Sequence, residues 1–390
     1  MAEASLSTGF LDLLRRFPRA YQLVRGIHST LVRLTTETLR VCTKGFIRLG
    51  PPAATVCLAD WIRRKEVEGR FVLEAQPISE PAPGSIIARA GWDLKKFDPW
   101  PIIWARIPSA RLVGPSLALM LFKKRLAIES LWNEHCYQND PSYNYFSLPR
   151  PTRLAGNWTS LFGRYQASYF HWIMDALPRL ACLDEFPPDT RILIPTKPRP
   201  YEQDSLRLLG LIARTRETDE RHLEIENYYF SGPTAMTGVS NPYAVKFLRS
   251  NLIPHGIPPK SPQPYLFITR KGKTRGLANE AQVGRFFEQR NWTIVDLEYL
   301  SFAEQIGLFR QAKAICASHG AALTNVLWCD AGTKVFEILA HNFLNGCYET
   351  IARLCDLQHR YLVLQGDAAF RVTVPTNLIE KQLEWLCEAD

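Results

Sequence analysis

A histidine and an aspartate stand four positions apart in the segment SYFHWIMDALPRLACL, residues 168–183. Apolar residues recur in this segment with the period of a helix, so His171 and Asp175 are expected on one helix face. A carboxylate in a partly apolar setting has a raised pKa, which helps it to accept a proton. The spacing predicts Asp175 as a general base with His171 beside it. The alternative is a surface pair that only stabilises the helix.

A cluster of cations follows the strand-like segment YLFITR, residues 265–270. Its members are Arg270, Lys271, Lys273 and Arg275. The planar fork of an arginine matches the geometry of a phosphate group. The cluster therefore predicts a phosphate-binding site, and the alternative is a solvated basic loop.

The segment SHGAALTN, residues 318–325, interrupts two strand-like runs where a helix is expected to begin. A glycine lets the backbone approach a ligand closely, and the free amides at a helix N-terminus suit a diphosphate. His319 could donate a hydrogen bond to that group; the alternative is a histidine bonded to the backbone of a tight turn. The predicted diphosphate ligands from this segment are His319, Gly320, Ala321, Thr324 and Asn325.

An isolated carboxylate lies within the apolar run TKVFEIL, residues 333–339. A buried carboxylate needs a partner, so Glu337 is predicted to bind ribose or sugar hydroxyls, or else to form an internal salt bridge. Asp296 and Glu298 form an acidic pair after another strand, which is a weak indication of a metal site. Since no third or fourth ligand follows at metal spacing, no metal site is predicted.

The elements that must position these residues alternate between strand and helix. From residue 265 onward, the pattern predicts four strands with intervening helices, which is half of a Rossmann fold. Ser301 and Glu304 have the spacing of a capping box at the start of one helix. The predicted strands are 265–270, 292–297, 313–318 and 333–339, and the predicted helices are 279–291 and 301–312.

The N-terminal part of the chain is more varied. Residues 155–240 alternate between helix and strand, with a strand at 191–195, a helix at 202–213 and a strand-like stretch at 226–232. Residues 51–150 contain short apolar runs such as RFVLEA (70–75) and SIIARA (85–90), which predict strands and loops.

A proline-rich segment predicts where the chain divides into domains. Residues 1–250 form the predicted N-terminal domain, beginning with a helical basic segment at 1–50, and residues 251–264 form the linker. Residues 265–365 form a nucleotide-binding domain, and residues 366–390 form a C-terminal segment with a helix. Parallel sheets flanked by helices give the α/β class.

Composition narrows the class of protein further. The chain has 390 residues, a formal net charge of +9 and 46% hydrophobic residues, so it is a folded globular protein. The cations are scattered outside the cluster at 270–275, which disfavours a nucleic-acid partner. No signal peptide or transmembrane helix is predicted, which favours a cytoplasmic location. The basic amphipathic N-terminal segment also suits peripheral docking to an anionic membrane face.

Several of these motifs together resemble glycosyltransferase family 61. The FHW motif at 170–172 and the segments ITR (268–270), LSFAEQIGLFRQA (300–312), SHGAALTN (318–325) and VFEIL (335–339) follow the order of that family. The resemblance covers roughly residues 155–340. In one departure, this chain has Ala322 where many members have a second glycine.

The resemblance implies a GT-B-type fold, in which two Rossmann-like domains face a central cleft. It also implies an inverting transferase that takes a sugar from a nucleotide sugar, often UDP-linked, to a saccharide acceptor, in many members without a metal. The absence of a signal segment makes the chain similar to the bacterial members, which act in capsular and other surface polysaccharide synthesis.

A mechanism follows as a hypothesis. Asp175 takes a proton from the acceptor hydroxyl while His171 orients it. Arg270 and Arg275 neutralise the departing diphosphate with help from His319. No cofactor is expected. A non-catalytic protein that binds nucleotide sugars or polysaccharides is the alternative, and an NAD-dependent oxidoreductase is disfavoured because no GxGxxG motif follows a strand.

Overall fold

The computed structural model describes residues 54–74, 84–91, 101–121, 125–131, 148, 150–163, 168–234 and 238–388. The basic segment at 1–50 lies outside these residues, and so does its predicted docking to a membrane. The chain divides into two compact units. Of the described residues, the first unit contains 54–70, 105–121, 125–131, 148, 150–163 and 218–230, and the second contains 71–74, 84–91, 101–104, 168–217, 231–234 and 238–388. In the described part of the chain, no helix is long and apolar enough to cross a membrane.

The first unit is built on a mixed sheet. Its strands follow the order β1–β5–β4–β3–β9–β6, and β2 pairs with β3. Strands β3, β4 and β5 are antiparallel neighbours, whereas β1 pairs with β5 and β6 pairs with β9 in the parallel sense. These strands are β1 (Ala54–Val56), β2 (Glu68–Leu73), β3 (Ile102–Val113), β4 (Ala118–Leu121), β5 (Arg125–Ala127), β6 (Thr152–Ser160) and β9 (His222–Ser231).

A small apolar cluster holds the middle of this sheet together. Its buried members are Val113, Ala118, Met120, Leu126, Leu131 and Leu148. The short helix α1 (Leu58–Arg63) follows β1 and buries Leu58 completely.

The second unit contains a five-stranded parallel sheet in the order β11–β10–β12–β13–β14. Strand β10, which comes first along the chain within this sheet, thus lies between the second and the third, which is the doubly wound order 2-1-3-4-5. The strands are β10 (Tyr265–Ile268), β11 (Thr293–Val295), β12 (Ala314–Ser318), β13 (Lys334–Ala340) and β14 (Gln358–Leu364). This sheet confirms the four predicted strands and the mixed α/β class.

Helices cover this sheet because each has one apolar face. Phe286 and Phe287 of one helix, with Ile379 and Trp385 of another, join Phe267 in the main apolar core of the unit. The helices of the unit are α2 (Ile86–Arg89), α3 (Tyr169–His171), α4 (Pro200–Leu208), α5 (Pro242–Leu252), α6 (Glu280–Glu288), α7 (Phe302–Gln311), α8 (Cys347–Leu354) and α9 (Thr376–Cys387). Strands β7 (Arg191–Pro195) and β8 (Thr215–Thr218) pair with each other.

Some local predictions are confirmed and others are wrong. The capping box at the start of α7 is present, since Ser301 accepts from the Glu304 amide and the Glu304 carboxylate accepts from the Ser301 amide. The run SIIARA is a short helix, α2, instead of a strand, because the Ser85 side chain caps it by accepting from the Ala88 amide at 3.1 Å. The segment at 168–183 is helical as predicted, but it passes from α-helix to π-helix at 172–176 and to 3-10 helix at 177–185.

The proline-rich segment 251–264 lies within the second unit. Helix α5 ends at Leu252, and the segment then packs against α7, where the Ile257 amide donates to the Ala303 carbonyl at 2.9 Å. Its prolines thus end a helix and carry the chain to β10. Its role as a boundary between two domains stays a prediction.

Candidate functional site

The sheet order of the second unit places Arg270, His319 and Gly320 beyond the carboxyl ends of neighbouring strands. In the order 2-1-3-4-5, ligands bind beyond the carboxyl ends of the strands where the order reverses, between β10 and β12. Ile268 pairs with Ala317 in this sheet, so the loop after β10 and the loop after β12 leave the sheet side by side. Arg270 lies in the first loop, and His319 and Gly320 lie in the second.

Arg270 packs directly on the backbone of Gly320. A Cβ atom added at Gly320 would lie 2.9 Å from Nε of Arg270 and still closer to the rest of the guanidinium. Gly320 has a φ of 171°, which any residue adopts, so the glycine is required for space. The Arg270 Nε atom donates to the Thr274 carbonyl at 2.8 Å, which fixes the side chain in this position.

Arg270 and Arg275 are two neighbouring cations. Burial lowers the pKa of Arg270, and the nearby positive charge of Arg275 lowers it further, whereas the Glu280 carboxylate acts in the opposite direction. The ion pairs within the described residues give neither guanidinium a carboxylate partner. Two neighbouring guanidinium groups outside any ion pair suit an anion.

The backbone of Arg275 supports the same conclusion. Its φ of 65° lies in the left-handed region, which costs a non-glycine residue free energy and is concentrated at functional sites. The Arg275 amide donates to the Ala369 carbonyl at 3.0 Å, and its guanidinium lies 4.9 Å from the ring centroid of Phe343. The loop thus holds the side chain in place at a cost in backbone strain.

A helix begins after Gly320, as the sequence predicted. Residues Ala321–Trp328 form a 3-10 helix, which begins with the Leu323 amide donating to the Gly320 carbonyl at 2.9 Å. Ala321 and Ala322 are half-buried and face the cavity described next. The methyl group of Ala322 therefore lies at the ligand-facing surface.

A cavity of about 570 Å³ opens beside this turn, entirely within the second unit. One wall is cationic and contains Arg270, Lys271 and Lys273. Another is aromatic, where the Tyr169 ring contacts Tyr201 at 5.0 Å and Phe302 at 6.4 Å in edge-to-face geometry. The remaining lining residues are Pro200, Asp204, Thr269, Asp296, Leu297, Glu298, Leu300, Ser301, Gln305, Ala321, Ala322 and Asn325. A cavity with a cationic wall and an aromatic wall suits a nucleotide.

Glu337 lies in a buried triad, away from the lining of this cavity. Its Oε1 accepts from His319 Nδ1 at 2.5 Å and its Oε2 accepts from His359 Nε2 at 3.0 Å. Burial alone would raise the pKa of Glu337, but the hydrogen bonds and charges of the two histidines hold it below its usual range. This is the internal pairing that sequence left as the alternative, and it does not support a direct contact between Glu337 and a ligand.

The triad fixes the orientation of His319. Because Nδ1 donates to the carboxylate, Nε2 is the nitrogen left for another partner. The imidazole also packs 5.0 Å from the ring of Tyr348 and 5.5 Å from that of Phe343. His319 is therefore held in one orientation beside the arginine pair, which is consistent with its predicted role.

The Asn325 side chain forms hydrogen bonds with three other side chains. Its Oδ1 accepts from the Tyr169 hydroxyl at 2.6 Å and from Trp328 Nε1 at 3.0 Å, and its Nδ2 donates to Gln305 at 3.2 Å. The side chain is fully buried, so its bonds go to protein instead of to a diphosphate. Thr324 is also fully buried, and its hydroxyl has no partner among the described residues.

His171 and Asp175 come together as predicted, but their exposures are unequal. His171 Nδ1 lies 2.7 Å from Asp175 Oδ2. The Asp175 side chain is 2% exposed, whereas that of His171 is 23% exposed. The π-helical turn that begins at Trp172 buries the carboxylate behind the imidazole.

A row of aromatic rings connects this pair to the arginine site. Phe170 contacts His171 at 5.2 Å and Tyr348 at 5.9 Å, and Tyr348 contacts His319. Tyr348 also lies close enough to Arg270 and Arg275 for their charges to act on its hydroxyl. A series of packed rings thus lies between the two groups of polar residues.

Each of the two acidic residues that follow β11 has a bonding partner within the protein. Glu298 pairs with Lys273 at 2.9 Å, and Asp296 accepts from the Glu298 amide at 3.1 Å. Throughout the described ranges, no group of three or more His, Cys, Asp and Glu side chains is arranged to hold a metal ion. The requirement for a metal or its absence stays a prediction.

Sequence reasoning missed His359, Tyr348, Tyr169 and Tyr201. His359 lies in the edge strand β14, whose partly exposed, mixed pattern QHRYLVL carries no clear strand signal. Tyr169 adjoins the motif that was recognised, and its position would have placed it beside the site. The others come from elements distant in sequence, which only the fold brings together.

Two comparisons with known proteins bear on the family of this chain. Residues 169–336 match the family described as Glycosyltransferase 61. An 88-residue stretch is 31% identical to a beta-1,2-xylosyltransferase of Arabidopsis thaliana, covering 23% of this chain and 16% of the relative. The matched stretch is therefore about a sixth of that protein's length. Together these similarities support glycosyltransferase family 61 as the family to which residues 169–336 are related.

Proposed function

We propose that this protein is a glycosyltransferase that moves a sugar from a nucleoside diphosphate sugar, UDP-linked by the family resemblance, to a saccharide acceptor. The observation that carries the proposal is the pair of neighbouring arginines, Arg270 and Arg275, with Arg270 packed on the Gly320 turn and neither guanidinium in an ion pair among the described residues. This pair lies at the point of the sheet where nucleotides bind, within the segment that matches the family.

The diphosphate is the leaving group in this reaction. Its negative charge increases as the bond to the sugar breaks, so cations fixed in advance lower the barrier. Arg270 and Arg275 supply that charge, and His319 donates from Nε2 when its imidazole is protonated. Glu337 acts through His319, because it holds the ring and stabilises its positive charge.

The acceptor hydroxyl needs a base, and the geometry favours His171 in that role. The imidazole is partly exposed and can reach a substrate, whereas Asp175 is enclosed behind it. Asp175 orients the ring and stabilises the imidazolium that forms after proton transfer. This proposal exchanges the roles that the sequence alone predicted for the two residues.

We also propose inversion at the anomeric carbon and a GT-B-type fold. One base and one stabilised leaving group suffice for a single displacement, which inverts the anomeric carbon, and the arginines supply the charge that a metal would otherwise supply. The doubly wound sheet of the second unit is the type of nucleotide-binding half found in GT-B enzymes. A role in surface polysaccharide synthesis follows from the family resemblance alone, as does the saccharide nature of the acceptor.

The test is a binding and turnover screen with the full chain. Nucleoside diphosphates and nucleotide sugars are first ranked by the shift in thermal unfolding, and the best donor is then assayed for hydrolysis and for transfer to an oligosaccharide array. Transfer that is lost in Arg270→Ala supports the proposal. Binding without hydrolysis or transfer would indicate the non-catalytic alternative, and no response to any nucleotide would contradict both.

A further inference from the structure

Three neighbouring strands of the second unit are each followed, at the carboxyl end, by residues with different functional groups. Ile268 of β10 pairs with Val295 of β11 on one side and with Ala317 of β12 on the other. The residues that follow are Asp296 after β11, Arg270 after β10, and His319 with Gly320 after β12. A carboxylate, a guanidinium and an amide-rich turn therefore stand in a row.

Asp296 is close to the arginine site. Strands β10 and β11 are neighbours, so their backbones are about 5 Å apart. The pairing continues past the strand end, where the Thr269 amide donates to the Val295 carbonyl at 2.9 Å. Asp296, Thr269 and Arg270 all line the same cavity.

One carboxylate oxygen of Asp296 is available to a ligand. Its Oδ1 accepts from the Glu298 amide at the start of the 3-10 helix Leu297–Tyr299, which fixes the side chain. Among the described hydrogen bonds, no protein donor reaches Oδ2. The neighbouring Glu298, in contrast, is paired with Lys273. Of the two acids, Asp296 is the one without a cation partner among the described ion pairs.

This row of residues fits one orientation of a nucleoside diphosphate. The diphosphate lies over Arg270 and the Gly320 turn, and a ribose attached to it on the β11 side meets Asp296. Vicinal hydroxyls are donors that a carboxylate binds well, and an acid at the end of the second strand does this in other doubly wound folds. Tyr169 and Tyr201 line the same cavity.

We infer that Asp296 binds the ribose hydroxyls of the donor, a role that the sequence assigned to Glu337. The inference rests on the proposed function and adds the direction of the ligand to it. The nucleoside lies at the Asp296 end, and the transferred sugar lies toward Tyr348 and His171. The site thus requires a ribonucleotide and selects against its deoxy forms.

The experiment measures binding by calorimetry with the full chain. Probes are uridine, cytidine, adenosine and guanosine diphosphate, the 2′-deoxy and 3′-deoxy forms of the best of them, and inorganic pyrophosphate. We expect the wild type to bind the ribonucleotide about tenfold or more tightly than at least one deoxy form, the size of one hydrogen bond to a charged acceptor. Asp296→Asn keeps an acceptor for the Glu298 amide and is expected to abolish this discrimination while leaving pyrophosphate binding unchanged.

Two variants serve as controls. Glu298→Gln removes an equal charge from the same wall and is expected to retain the ribose discrimination. Glu337→Gln is expected to weaken the nucleotide and pyrophosphate by the same factor, because it acts through His319. Thermal unfolding of each variant checks that it is folded.

The outcomes separate this inference from the function on which it rests. If the wild type binds a ribonucleotide and its deoxy forms equally, or if Asp296→Asn keeps the discrimination, Asp296 is not the ribose residue and the proposed function stands. If neither pyrophosphate nor any nucleotide binds to the wild type, the proposed function fails and the inference fails with it. The affinities of the wild type for the ribonucleotide and for its deoxy forms test the inference even if the variant does not fold.

Discussion

The guanidinium of Arg270 lies against the α-carbon of Gly320, and this contact leaves no room for a side chain at residue 320. The two residues come from loops 50 positions apart that leave neighbouring strands, β10 and β12. The glycine in the turn thus makes space for an arginine from another loop. Its presence is explained by this packing, since its backbone conformation is open to any residue.

Gly320→Ala is expected to lower donor affinity by about tenfold or more, because the new methyl group displaces a guanidinium that binds the diphosphate. The displaced atoms are the far end of a flexible side chain, so the loss of stability should be small. Gly284→Ala is a matched control in α6, where an added Cβ meets nothing within 4 Å. It should leave binding unchanged and stabilise the helix by about 0.5–1 kcal/mol. Calorimetry and thermal unfolding measure both effects, and unchanged donor affinity in Gly320→Ala contradicts the role of the contact.

Substitutions in the His171–Asp175 pair distinguish the two assignments of the base. His171→Gly is expected to lower kcat by about 10²–10⁴, as for loss of a general base, and added imidazole should restore part of the rate. Asp175→Asn should also lower kcat, but imidazole should not restore it, because the native ring still occupies its place. Rates with and without imidazole, measured at saturating donor, test this. Failure of imidazole to rescue His171→Gly, combined with rescue of Asp175→Gly by formate, would return the role of base to Asp175.

The free energy of unfolding should decrease in acid because Glu337 becomes protonated. Its pKa is below the usual value of 4.5 in the folded protein, so its ionised form favours folding. This contribution is complete above pH 4.5 and is lost as the pH falls below it toward the folded pKa. Glu337→Gln should lose about 3–5 kcal/mol at neutral pH, the cost of breaking a buried charged network, and its stability should depend less on pH in the acid range. Chemical denaturation between pH 3 and 7 measures both, and equal slopes for the two proteins would contradict the pairing with the histidines.

Glu129, in the first unit, should make the free energy of unfolding decrease as the pH rises, which is the opposite of the effect of Glu337. Burial raises its pKa; its Oε1 accepts from the Ala59 amide at 2.8 Å, while its buried Oε2 has no partner among the described residues. Its ionised form therefore disfavours folding, and the penalty appears as the pH rises above 4.5, the usual value. Glu129→Gln keeps an oxygen for Ala59 and is expected to stabilise the protein by about 1 kcal/mol at neutral pH, because the amide has no charge to bury. The difference should vanish near pH 4, and a constant difference across the pH range would exclude ionisation as its cause.

Much of the second unit could be predicted from its sequence. The apolar runs around Phe267, Ile315 and Phe336 are short, buried and bounded by turns, so the strands of the parallel sheet are evident without the fold. The capping box at Ser301 is equally local, because both of its bonds join residues three positions apart. The His171–Asp175 pair and the Arg270 cluster were found for the same reason, since their spacing within one segment is itself the signal.

The helical details could not be predicted from local patterns. The turn from 172 to 176 is π-helical and the helix after Gly320 is 3-10, although both sequences have ordinary helical patterns. Tertiary contacts decide these forms. Asn325, for example, must reach Tyr169, Trp328 and Gln305 at once, and a local propensity of a few tenths of a kcal/mol per residue does not outweigh such a network.

The sequence by itself determined the parallel α/β character of the second unit, the family resemblance, and which residues have the chemistry for phosphate and proton transfer. Only the tertiary structure decided how those residues are used. Both carboxylate oxygens of Glu337 accept hydrogen bonds from histidines, and one of these histidines lies in an edge strand that carries no motif. Asp175 is buried beside the more exposed His171. The physical reason is that burial and pairing across neighbouring strands join residues far apart in the chain, and no spacing within a single segment encodes them.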